Sequence, residues 1–581
     1  MREDGDMRHG KSENAAQVTL AAGVVVYLVA NRNRKRAVAS TSTKGTEVTV
    51  VKSALFAVGM RAALACGLGW TLITAAPQVQ AQIVQGQLQL QWGDPRGGPG
   101  QVKRPGKFVV TLVTDDGKRQ VLDPTQARIA AGDLHALANR RVAVDFAALP
   151  RSAGRGKIEA IVPADNLGQP YDPAVPLKAG PTAKAIAGVT RWVTLACKFS
   201  DIQTEQKTVE FFRGQYGTQP GQLGHYWAEV SYGKVSLAGS DAYGWFTLPQ
   251  PRSFYITGDG DGKANLDKLF EDCAAAADPT VDFTVVQGIN MMFNADLDGF
   301  AWGGGACGPL EGVANRCIRN TWNPPWAFNN LAPLAHEMGH GYGLPHSDNS
   351  DGDDDPYDNP WDVMSDGWRN AVADATYGSL PKHINIYQRD RLGWMDAARK
   401  LTVTAGGPRV TVNLDTASSA TSLNTRMVVF AIPQEPGALY TLEARKRAGS
   451  YETNLAGNAV IIHRVVNDGM AHSLDASVPP ATVSNNEGSM FKVGETWISP
   501  HNAYWVTVES ETATGFVVSL GPQPRFMGGP APVRRSPGGT TSASQPAVLS
   551  NPVERRPSQV SQCRNERGGV LAWGRCSQRL Q

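Results

Sequence analysis

Alternating apolar and polar positions run from residue 82 to about residue 165 and predict short β-strands. The segments GQLQLQW, KFVVTLVTDDGKRQVL, RRVAVDF and KIEAIVPA repeat with a period of two, and the Asp-Asp-Gly inside the second segment is a turn signal. A stretch rich in proline, glycine and alanine follows at roughly residues 169–188. The pattern therefore predicts a small N-terminal β-domain over residues 82–168.

Continuous apolar runs and one helical pattern alternate in the next part of the chain. The runs TRWVTLACKFSD and TVDFTVVQGINMMFN are typical of buried strands. Between them, apolar residues recur at i, i+3, i+4 and i+7, which is the spacing of one helix face: Leu266, Leu269, Phe270 and Cys273. These patterns favour an α+β domain over residues 185–399.

Strand patterns return in the C-terminal part of the chain. The segments VTVNLD, TRMVVFAIP, ALYTLEARK, NAVIIHRVV, AYWVTVES and GFVVSL have the spacing of a β-sandwich, which we place at residues 400–522. Residues 523–562 contain few large apolar side chains and are predicted to be a disordered linker. A short cysteine-containing tail, residues 563–581, ends the chain. Several domains are expected, because 581 residues exceed the size of a single core.

Residues 1–81 have the character of a leader region. From Met60 the chain has an early arginine, an apolar run and the small-x-small triplet VQA, so residues 60–81 are predicted to be a signal peptide cut near Ala81–Gln82. Residues 1–59 are then either a long leader or an upstream extension of the reading frame; a membrane-anchoring N-terminus is the alternative. We expect a secreted protein, extracellular or periplasmic, whose mature chain does not contact a membrane.

Charge and composition exclude some partners. The whole chain has a formal net charge of +3 and is 41% hydrophobic, and residues 82–581 carry 46 basic against 48 acidic residues. No basic surface for nucleic acid is indicated. The sequence does not define the oligomeric state.

Cysteine usage favours export, since an even set remains once Cys66 is removed with the leader. Proximity favours the pairs Cys307–Cys317 and Cys563–Cys576 and leaves Cys197–Cys273, although six cysteines permit fifteen connectivities and buried free thiols are the alternative.

The segment HEMGHGYGLPH, from His336 to His346, concentrates metal-binding side chains. Residues four apart lie on one face of a helix, so His336 and His340 can direct their imidazoles to one point. Glu337 lies about 100° around the helix, where it can reach a water molecule at a metal without binding the metal itself. The segment predicts a metal site in which an acid stands beside the ligands.

The ends of this helix are also marked in the sequence. Asn330 is a favoured N-cap residue, and Pro333 falls within the first turn, where its missing N–H costs little. Gly343 can adopt a positive φ and turn the chain back, so that His346 brings a third imidazole to the site. Three neutral imidazoles leave one coordination position open, which is typical of a catalytic zinc.

This segment resembles the extended zinc signature of the metzincin peptidases. The clan has a methionine-containing turn downstream of the third ligand, and Met364 in NPWDVMSDGW matches it. Within the clan, residues 189–394 are most similar to the gametolysin and immune inhibitor A-like family. The resemblance implies a catalytic domain with a twisted mixed sheet and an active-site helix, flanked by the N-terminal β-domain and the C-terminal sandwich. It also implies that Met364 forms an apolar floor under the imidazoles.

The activity implied is hydrolysis of peptide bonds in a protein or peptide substrate by a zinc endopeptidase. Zinc would lower the pKa of a bound water from roughly 15.7 towards about 7, and Glu337 would act as general base. The sequence does not select an oxyanion-stabilising residue among Tyr342, Tyr357 and Tyr377. Residues 82–196 contain no cysteine, so a thiolate that keeps a precursor latent cannot come from there. Whether the N-terminal β-domain is an inhibitory prosegment stays open.

Two further segments have two interpretations each. The segment ADLDGFAWGGG, residues 295–305, is either the edge strand that pairs with an extended substrate or an ordinary glycine-rich loop. The segment SDNSDGDDDPYDNPWD is either a solvated acidic loop or a Ca²⁺ site, which would make calcium a second cofactor. Its acidic residues are Asp348, Asp351, Asp353, Asp354, Asp355, Asp358 and Asp362.

Two other functions compete with the peptidase. One is an adhesion or binding module with an inactive metalloprotease-like domain, and the other is a zinc hydrolase of non-peptide bonds. The remaining histidines lack the spacing of metal ligands and are interpreted as structural or surface residues: His135, His225, His383, His463, His472 and His501.

Overall fold

A ten-stranded mixed sheet is the main element of the structure, which is a computed structural model. The residues it describes are 82–97, 104–147, 156–166, 185–258, 263–353, 355–466, 468–476, 487–500, 503–522, 562–564 and 570–573. The predicted leader, residues 1–81, and residues 523–561 of the predicted linker lie outside these ranges.

The described residues form twenty-five strands and eight α-helices, and the fold is α+β with far more sheet than helix. The strands are β1 (Gln82–Pro95), β2 (Lys107–Thr114), β3 (Arg119–Leu122), β4 (Arg140–Phe146), β5 (Ile158–Pro163), β6 (Gly188–Val189), β7 (Trp192–Lys198), β8 (Val235–Ser236), β9 (Asp241–Thr247), β10 (Gly288–Phe293), β11 (Phe300–Leu310), β12 (Val313–Asn323), β13 (Val372–Asp374), β14 (Gly378–Leu380), β15 (Lys400–Val403), β16 (Val410–Asp415), β17 (Met427–Ala431), β18 (Leu439–Arg445), β19 (Ala459–Val465), β20 (Ala471–Ser473), β21 (Thr496–Ile498), β22 (Tyr504–Glu511), β23 (Gly515–Pro522), β24 (Gln562–Arg564) and β25 (Val570–Trp573). The helices are α1 (Pro124–Ala131), α2 (Val209–Gln215), α3 (Leu223–Val230), α4 (Arg252–Tyr255), α5 (Leu266–Ala277), α6 (Pro325–Phe328), α7 (Leu331–Gly341) and α8 (Ile386–Arg391).

The large sheet joins the predicted N-terminal strands to those of the predicted catalytic region. Its main path is β3-β2-β1-β11-β12-β10-β7-β9, and β4 and β5 extend it from β1. Strands β9, β7, β10 and β12 run parallel, whereas β11 is antiparallel to β12 and to β1. The strands of the predicted N-terminal β-domain therefore continue the sheet of the predicted catalytic region. The physical reason is that β11 would otherwise present an unpaired edge, and β1 is long enough to pair with it.

Each face of this sheet packs against helices, because the alternate side chains of β7 are apolar on both faces. Trp192 and Ala196 face a core that includes α2, α3 and α7, while Val193, Leu195 and Cys197 face a second core that includes α5. The predicted helix face on α5 is buried, which confirms that prediction. The predicted strand over TVDFTVVQGINMMFN is only half correct, because Asp282 accepts a hydrogen bond from the Thr284 N–H and begins a short 3₁₀ turn before β10.

Two of the three predicted disulfides are present. Cys197 of β7 is bonded to Cys273 of α5, and Cys307 of β11 is bonded to Cys317 of β12. These bonds attach a helix to the sheet and join the hairpin that contains β11. The predicted partner Cys576 lies outside the described residues. Over the part of the chain that the structure describes, no helix is long and apolar enough to cross a membrane.

The C-terminal strands form two sheets that share one hydrophobic core. The first has the order β15-β17-β18-β19-β20 and the second β16-β23-β22-β21. This arrangement is that of a sandwich. It is attached to the rest of the protein by buried hydrogen bonds, among them that of the Arg445 guanidinium to the Trp361 carbonyl oxygen at 2.6 Å.

Candidate metal centre

Helix α7 carries the first two predicted ligands. It begins after Asn330, as predicted, although the Asn330 side chain does not cap it and instead accepts a hydrogen bond from the Ser379 N–H at 3.1 Å. The helix ends at Gly341, and Gly343 has a φ of 88° that reverses the chain. This turn returns His346 to the helix, as the sequence predicted.

The three imidazoles meet in the interior of the protein. The Nε2 atoms of His336 and His340 are 3.0 Å apart, and the ring centroid of His346 lies 5.3 Å from that of His336 and 4.8 Å from that of His340. All three rings are buried. The structure therefore brings together the residues that the sequence selected.

Backbone carbonyls select the tautomer that the two helical histidines adopt when neutral. The Nδ1 atom of His336 lies 2.6 Å from the carbonyl oxygen of Val363, and that of His340 lies 2.7 Å from the carbonyl oxygen of Leu344. A carbonyl oxygen only accepts, so each Nδ1 donates and each neutral ring presents an unprotonated Nε2 to the centre. Two lone pairs 3.0 Å apart repel each other unless a cation lies between them. A metal ion fits this donor set.

Asp94 supplies a fourth group that the sequence did not reveal. Its Oδ1 lies 2.7 Å from His346 Nε2, and its Oδ2 lies 3.3 Å from His340 Nε2 and 3.5 Å from His336 Nε2. The four residues offer ligand atoms that all lie within 4.8 Å of one another. The expectation of an open fourth position is therefore corrected, because a buried carboxylate from β1 stands there.

The buried charges shift the pKa of several groups. Burial would raise the pKa of Asp94, but the imidazoles of His346 and His336 hold it well below its ordinary value. Burial lowers the pKa of His340 to about 3. Burial and the negative charge of Asp94 raise the pKa of Glu337 well above its ordinary value. Two acids and three imidazoles are thus packed together out of contact with water, which is an environment that a divalent cation would neutralise.

Glu337 lies beside the ligand group and is not part of it. Only 1% of its surface is exposed, and its Oε2 has no hydrogen-bond partner. A Cβ atom placed on Gly303 of β11 would lie 2.8 Å from that oxygen, so the strand and the acid are in close contact. Glu337 is therefore packed next to the ligand group without belonging to it.

Met364, the residue of the predicted methionine turn, shares a hydrophobic core with α7. Its side chain is fully buried, and its carbonyl oxygen accepts a hydrogen bond from the Ser347 N–H at 3.1 Å. A Cβ atom placed on Gly339, which lies between the two helical histidines in the sequence, would collide with the Met364 sulfur.

Two aromatic residues complete the site: Trp92, which the sequence did not indicate, and Tyr357, one of the three tyrosines among which the sequence did not choose. Trp92 stacks on His340, and the Tyr357 hydroxyl donates a hydrogen bond to Asp94 Oδ1 at 2.6 Å. Asp94 is 252 positions from His346, and the segment WGDP that contains it has no metal-ligand spacing. The only local signal was an acid placed at the end of an alternating strand pattern.

A second group of acids lies in the loop after His346. Asp351, Asp353 and Asp358 offer carboxylate oxygens within 4.8 Å of one another. Burial raises the pKa of Asp358 to about 7. The structure thus contains two groups that could hold a metal ion among the described residues.

Comparisons with known proteins add little to this description. No family model and no curated protein matches the chain. Among solved structures it is similar to wild-type OgpA from Akkermansia muciniphila, with 11% sequence identity and a TM-score of 0.23, over 52% of this chain and 96% of that chain. A TM-score this low carries no argument, so the function has to be inferred from the site itself.

Proposed function

We propose that this chain is a secreted zinc-dependent endopeptidase of the metzincin type that hydrolyses peptide bonds of extracellular proteins. The observation that carries the proposal is the convergence of three buried imidazoles beside Glu337, a buried acid outside the ligand group. The returning turn at Gly343 and the packing of Met364 in the core shared with α7 support the resemblance to metzincins. The two disulfides support export, because such bonds persist in oxidising compartments.

The donor set favours zinc over harder cations. Imidazole nitrogens together with one carboxylate are typical zinc ligands, whereas Ca²⁺ and Mg²⁺ prefer oxygen. When bound, zinc would supply Lewis acidity and lower the pKa of a water molecule towards neutrality. The residues that would hold it are His336, His340 and His346, and the Val363 and Leu344 carbonyl groups orient the first two.

The remaining chemistry belongs to the protein. Glu337 Oε2 is buried and has no hydrogen-bond partner, so it is available to take a proton from water and to pass it to the leaving amine. The fold around it excludes bulk water, which strengthens electrostatic interactions within the site. In this scheme no side chain forms a covalent bond with the substrate.

Metal analysis and proteolysis test this proposal. The purified chain should hold about one zinc per molecule. Casein should be cleaved by the Asp94→Ala variant, which opens the fourth position, and 1,10-phenanthroline should stop the cleavage. Adding Glu337→Gln to that variant should retain zinc and lower turnover by about 10²- to 10⁴-fold. Glu210→Gln, at an exposed glutamate, is the matched control. Normal cleavage with Gln at position 337 would remove the role assigned to Glu337.

One observation favours a second candidate function. Asp94 gives the site four protein ligands, which is typical of a structural zinc, and an adhesion module with a permanently closed metal site would have the same arrangement. The two candidates differ in the Asp94→Ala variant. A zinc-loaded variant that binds an active-site inhibitor but cleaves no protein substrate would favour the adhesion module.

A further inference from the structure

We propose that the N-terminal strands β1–β5 inhibit the metal centre within the same chain, with Asp94 as the blocking ligand and the end of β1 in the place of the substrate. This inference rests on the proposed peptidase function and specifies how that site is regulated. Three observations support it: the pairing of β1 with β11, the carboxylate of Asp94 at the metal centre, and the hydrophobic core that the N-terminal strands form among themselves.

The backbone pairing covers the edge at which we expect a substrate to bind. Residues Gln91–Pro95 of β1 pair antiparallel with Phe300–Gly304 of β11, from Gln91 opposite Gly304 to Pro95 opposite Phe300. This part of β11 belongs to residues 295–305, which the sequence left as either a substrate-pairing edge or a glycine-rich loop, and the structure makes it a strand. An extended peptide that binds by strand addition needs these same backbone groups. While β1 is paired, no substrate can use this edge.

The same segment directs two side chains to the metal centre. Successive side chains of a strand point to opposite faces, so Trp92 and Asp94 lie on one face of β1. Trp92 packs on His340, and Asp94 approaches all three imidazoles. The carboxylate therefore stands where the attacking water or the scissile carbonyl would have to enter. One strand blocks both the substrate edge and the metal.

The N-terminal strands also have the properties of a detachable unit. Their hydrophobic core consists only of residues from this part of the chain, such as Leu90, Val110 and Ile161. Besides the backbone pairing, Trp92 packs on His340 and Val109 packs on the core that contains α5. Polar contacts also hold the unit to the rest: Gln89 and Gln91 both donate to the Gly305 carbonyl oxygen, and Arg391 pairs with Asp133 at 2.5 Å. A unit with its own hydrophobic core can separate from the rest of the chain without losing that core.

The test uses the full chain with zinc or cobalt bound and measures access to the metal. Acetohydroxamic acid is a small metal-binding probe that needs a free coordination position. We expect Asp94→Ala and Asp94→Asn to bind it at least about ten-fold more tightly than the wild-type chain, the scale on which metal-site groups alter affinity. In the cobalt forms, the visible absorption should change between wild type and both variants. Asp115→Ala, at an exposed aspartate of the same unit, is the control and should behave as wild type.

Each outcome decides the inference. Equal hydroxamate affinity and identical cobalt spectra in wild type and both Asp94 variants would overturn it and leave the peptidase proposal intact. Tighter hydroxamate binding without any casein cleavage would support Asp94 as the blocking ligand but contradict the peptidase. A chain that binds neither metal would defeat both. Asp94→Asn retains the shape of the side chain and serves if Asp94→Ala fails to fold.

A separate observation supports a second site. We propose that Asp351, Asp353 and Asp358 bind one Ca²⁺ ion in the loop that follows His346. Asp358 is 1% exposed and its Oδ2 has no hydrogen-bond partner, and the Oδ2 of Asp351 is likewise buried without a partner. Buried carboxylate oxygens that lack a partner are costly unless a cation binds them, and Ca²⁺ prefers oxygen ligands. The converging group and the unpartnered oxygens are independent of the zinc ligands.

The position of this loop indicates what the ion would stabilise. Ser350 Oγ accepts a hydrogen bond from the Asp475 N–H at 2.9 Å, and Asn349 forms a bridge with Ser473 of β20. Tyr357, which touches Asp94, directly precedes Asp358 in the chain. Calcium would therefore fix the loop between the metal centre and the C-terminal sheets.

Calorimetric titration of the zinc-loaded full chain with CaCl₂ tests the site. We expect saturable binding of about one ion per chain and a Ca²⁺-dependent rise in the melting temperature. Asp358→Asn and Asp353→Asn should each weaken binding by at least about ten-fold, while Asp115→Asn should not. Asp353 is exposed, so its variant should fold even if Asp358→Asn does not. Absence of saturable binding in the wild type, or unchanged affinity in both variants, would overturn the proposal.

Discussion

The indole of Trp92 stacks on the imidazole of His340, with the ring centroids 4.5 Å apart and 5° between the ring planes. Both rings are buried, and the Nδ1 atom of the same imidazole is held by the Leu344 carbonyl oxygen. One predicted metal ligand is therefore oriented from two directions, by its own helix turn and by a strand more than 200 positions earlier in the chain.

Replacing this indole should weaken both folding and metal binding. We expect Trp92→Ala to lower the free energy of unfolding by about 3–5 kcal/mol, because a large buried ring leaves a cavity. The zinc affinity should fall as well, since His340 loses the surface that fixes its plane. Urea unfolding and a competitive zinc titration measure the two effects. Trp505→Ala, at a partly exposed tryptophan of β22, should cost less stability and leave zinc affinity unchanged. Equal effects of the two substitutions would contradict the role given to the stack.

A side chain at Gly303 should displace the predicted general base. A Cβ atom there would lie 2.5 Å from the Glu337 carbonyl oxygen, and helix backbone cannot move aside at low cost. Gly303→Ala should therefore reduce the free energy of unfolding by about 1–3 kcal/mol or more. At Gly406 the same atom would meet nothing within 4 Å, so Gly406→Ala should be close to neutral. Thermal or urea unfolding of the two variants gives the comparison, and a stable Gly303→Ala chain would show that β11 and α7 are less tightly packed than described.

The parts of the site that could be predicted from the sequence are those with local signals. Helix α7 is marked by Asn330 and Gly343, and the four-residue spacing places His336 and His340 on one face. The Cys307–Cys317 disulfide was predicted from proximity in the chain, and Cys197–Cys273 is the pair that remained after the close pairs were assigned. Such features depend on residues close in the chain or on a simple period, which is why they could be predicted.

The contribution of β1 could not be predicted in the same way. Its alternating pattern predicts a strand but does not say which strand it pairs with, because unpaired edges are alike in sequence. The glycines of β11 admit a close neighbour: a Cβ on Gly305 would collide with the Asn139 side chain. The pairing that brings Asp94 to the metal centre is a tertiary result, with no motif in either segment.

Tyr357 is the best candidate for stabilising the oxyanion. The Tyr342 hydroxyl is 3.0 Å from Trp192 Nε1 and the Tyr377 hydroxyl lies against Gly214, whereas the Tyr357 hydroxyl points to Asp94 at the metal centre. In the Asp94→Ala background we expect Tyr357→Phe to lower kcat by about 10²- to 10³-fold with unchanged zinc content.

The control for this prediction is the remaining tyrosine of similar exposure. Tyr377→Phe in the same background should retain the kcat of Asp94→Ala, because its hydroxyl lies near Gly214 of α2. Steady-state kinetics on a fluorogenic peptide separate kcat from KM. Equal kcat values for the Tyr357 and Tyr377 variants would exclude Tyr357 as an oxyanion donor.

His463 should make folding sensitive to acid. Burial, and then the positive charge of Arg445, lower the pKa of this imidazole to about 3, against an ordinary value of about 6.5. Above pH 6.5 the ring is neutral in both the folded and the unfolded chain, so it does not change the free energy of unfolding with pH. As the pH falls from 6.5 towards 3, only the unfolded chain is protonated, and the free energy of unfolding declines by up to about 1.4 kcal/mol per pH unit. We expect His463→Gln to remove about 2 kcal/mol of the loss between pH 7 and pH 5.

Urea unfolding of wild type and His463→Gln across this range measures the difference, and the comparison is needed because a neighbour acts in the opposite sense. Burial raises the pKa of Glu443 to about 7, so that carboxyl adds stability as the pH falls through 7 in both proteins. Asn359→Ala is the control: it removes the contact of 3.4 Å with His463 Nε2 but retains the titrating ring. Asn359→Ala should lower the free energy of unfolding at every pH and leave its dependence on pH as in the wild type. Parallel pH profiles for wild type and His463→Gln would mean that the buried ring is protonated in the folded protein, in which case Glu443, 3.8 Å away, is its partner.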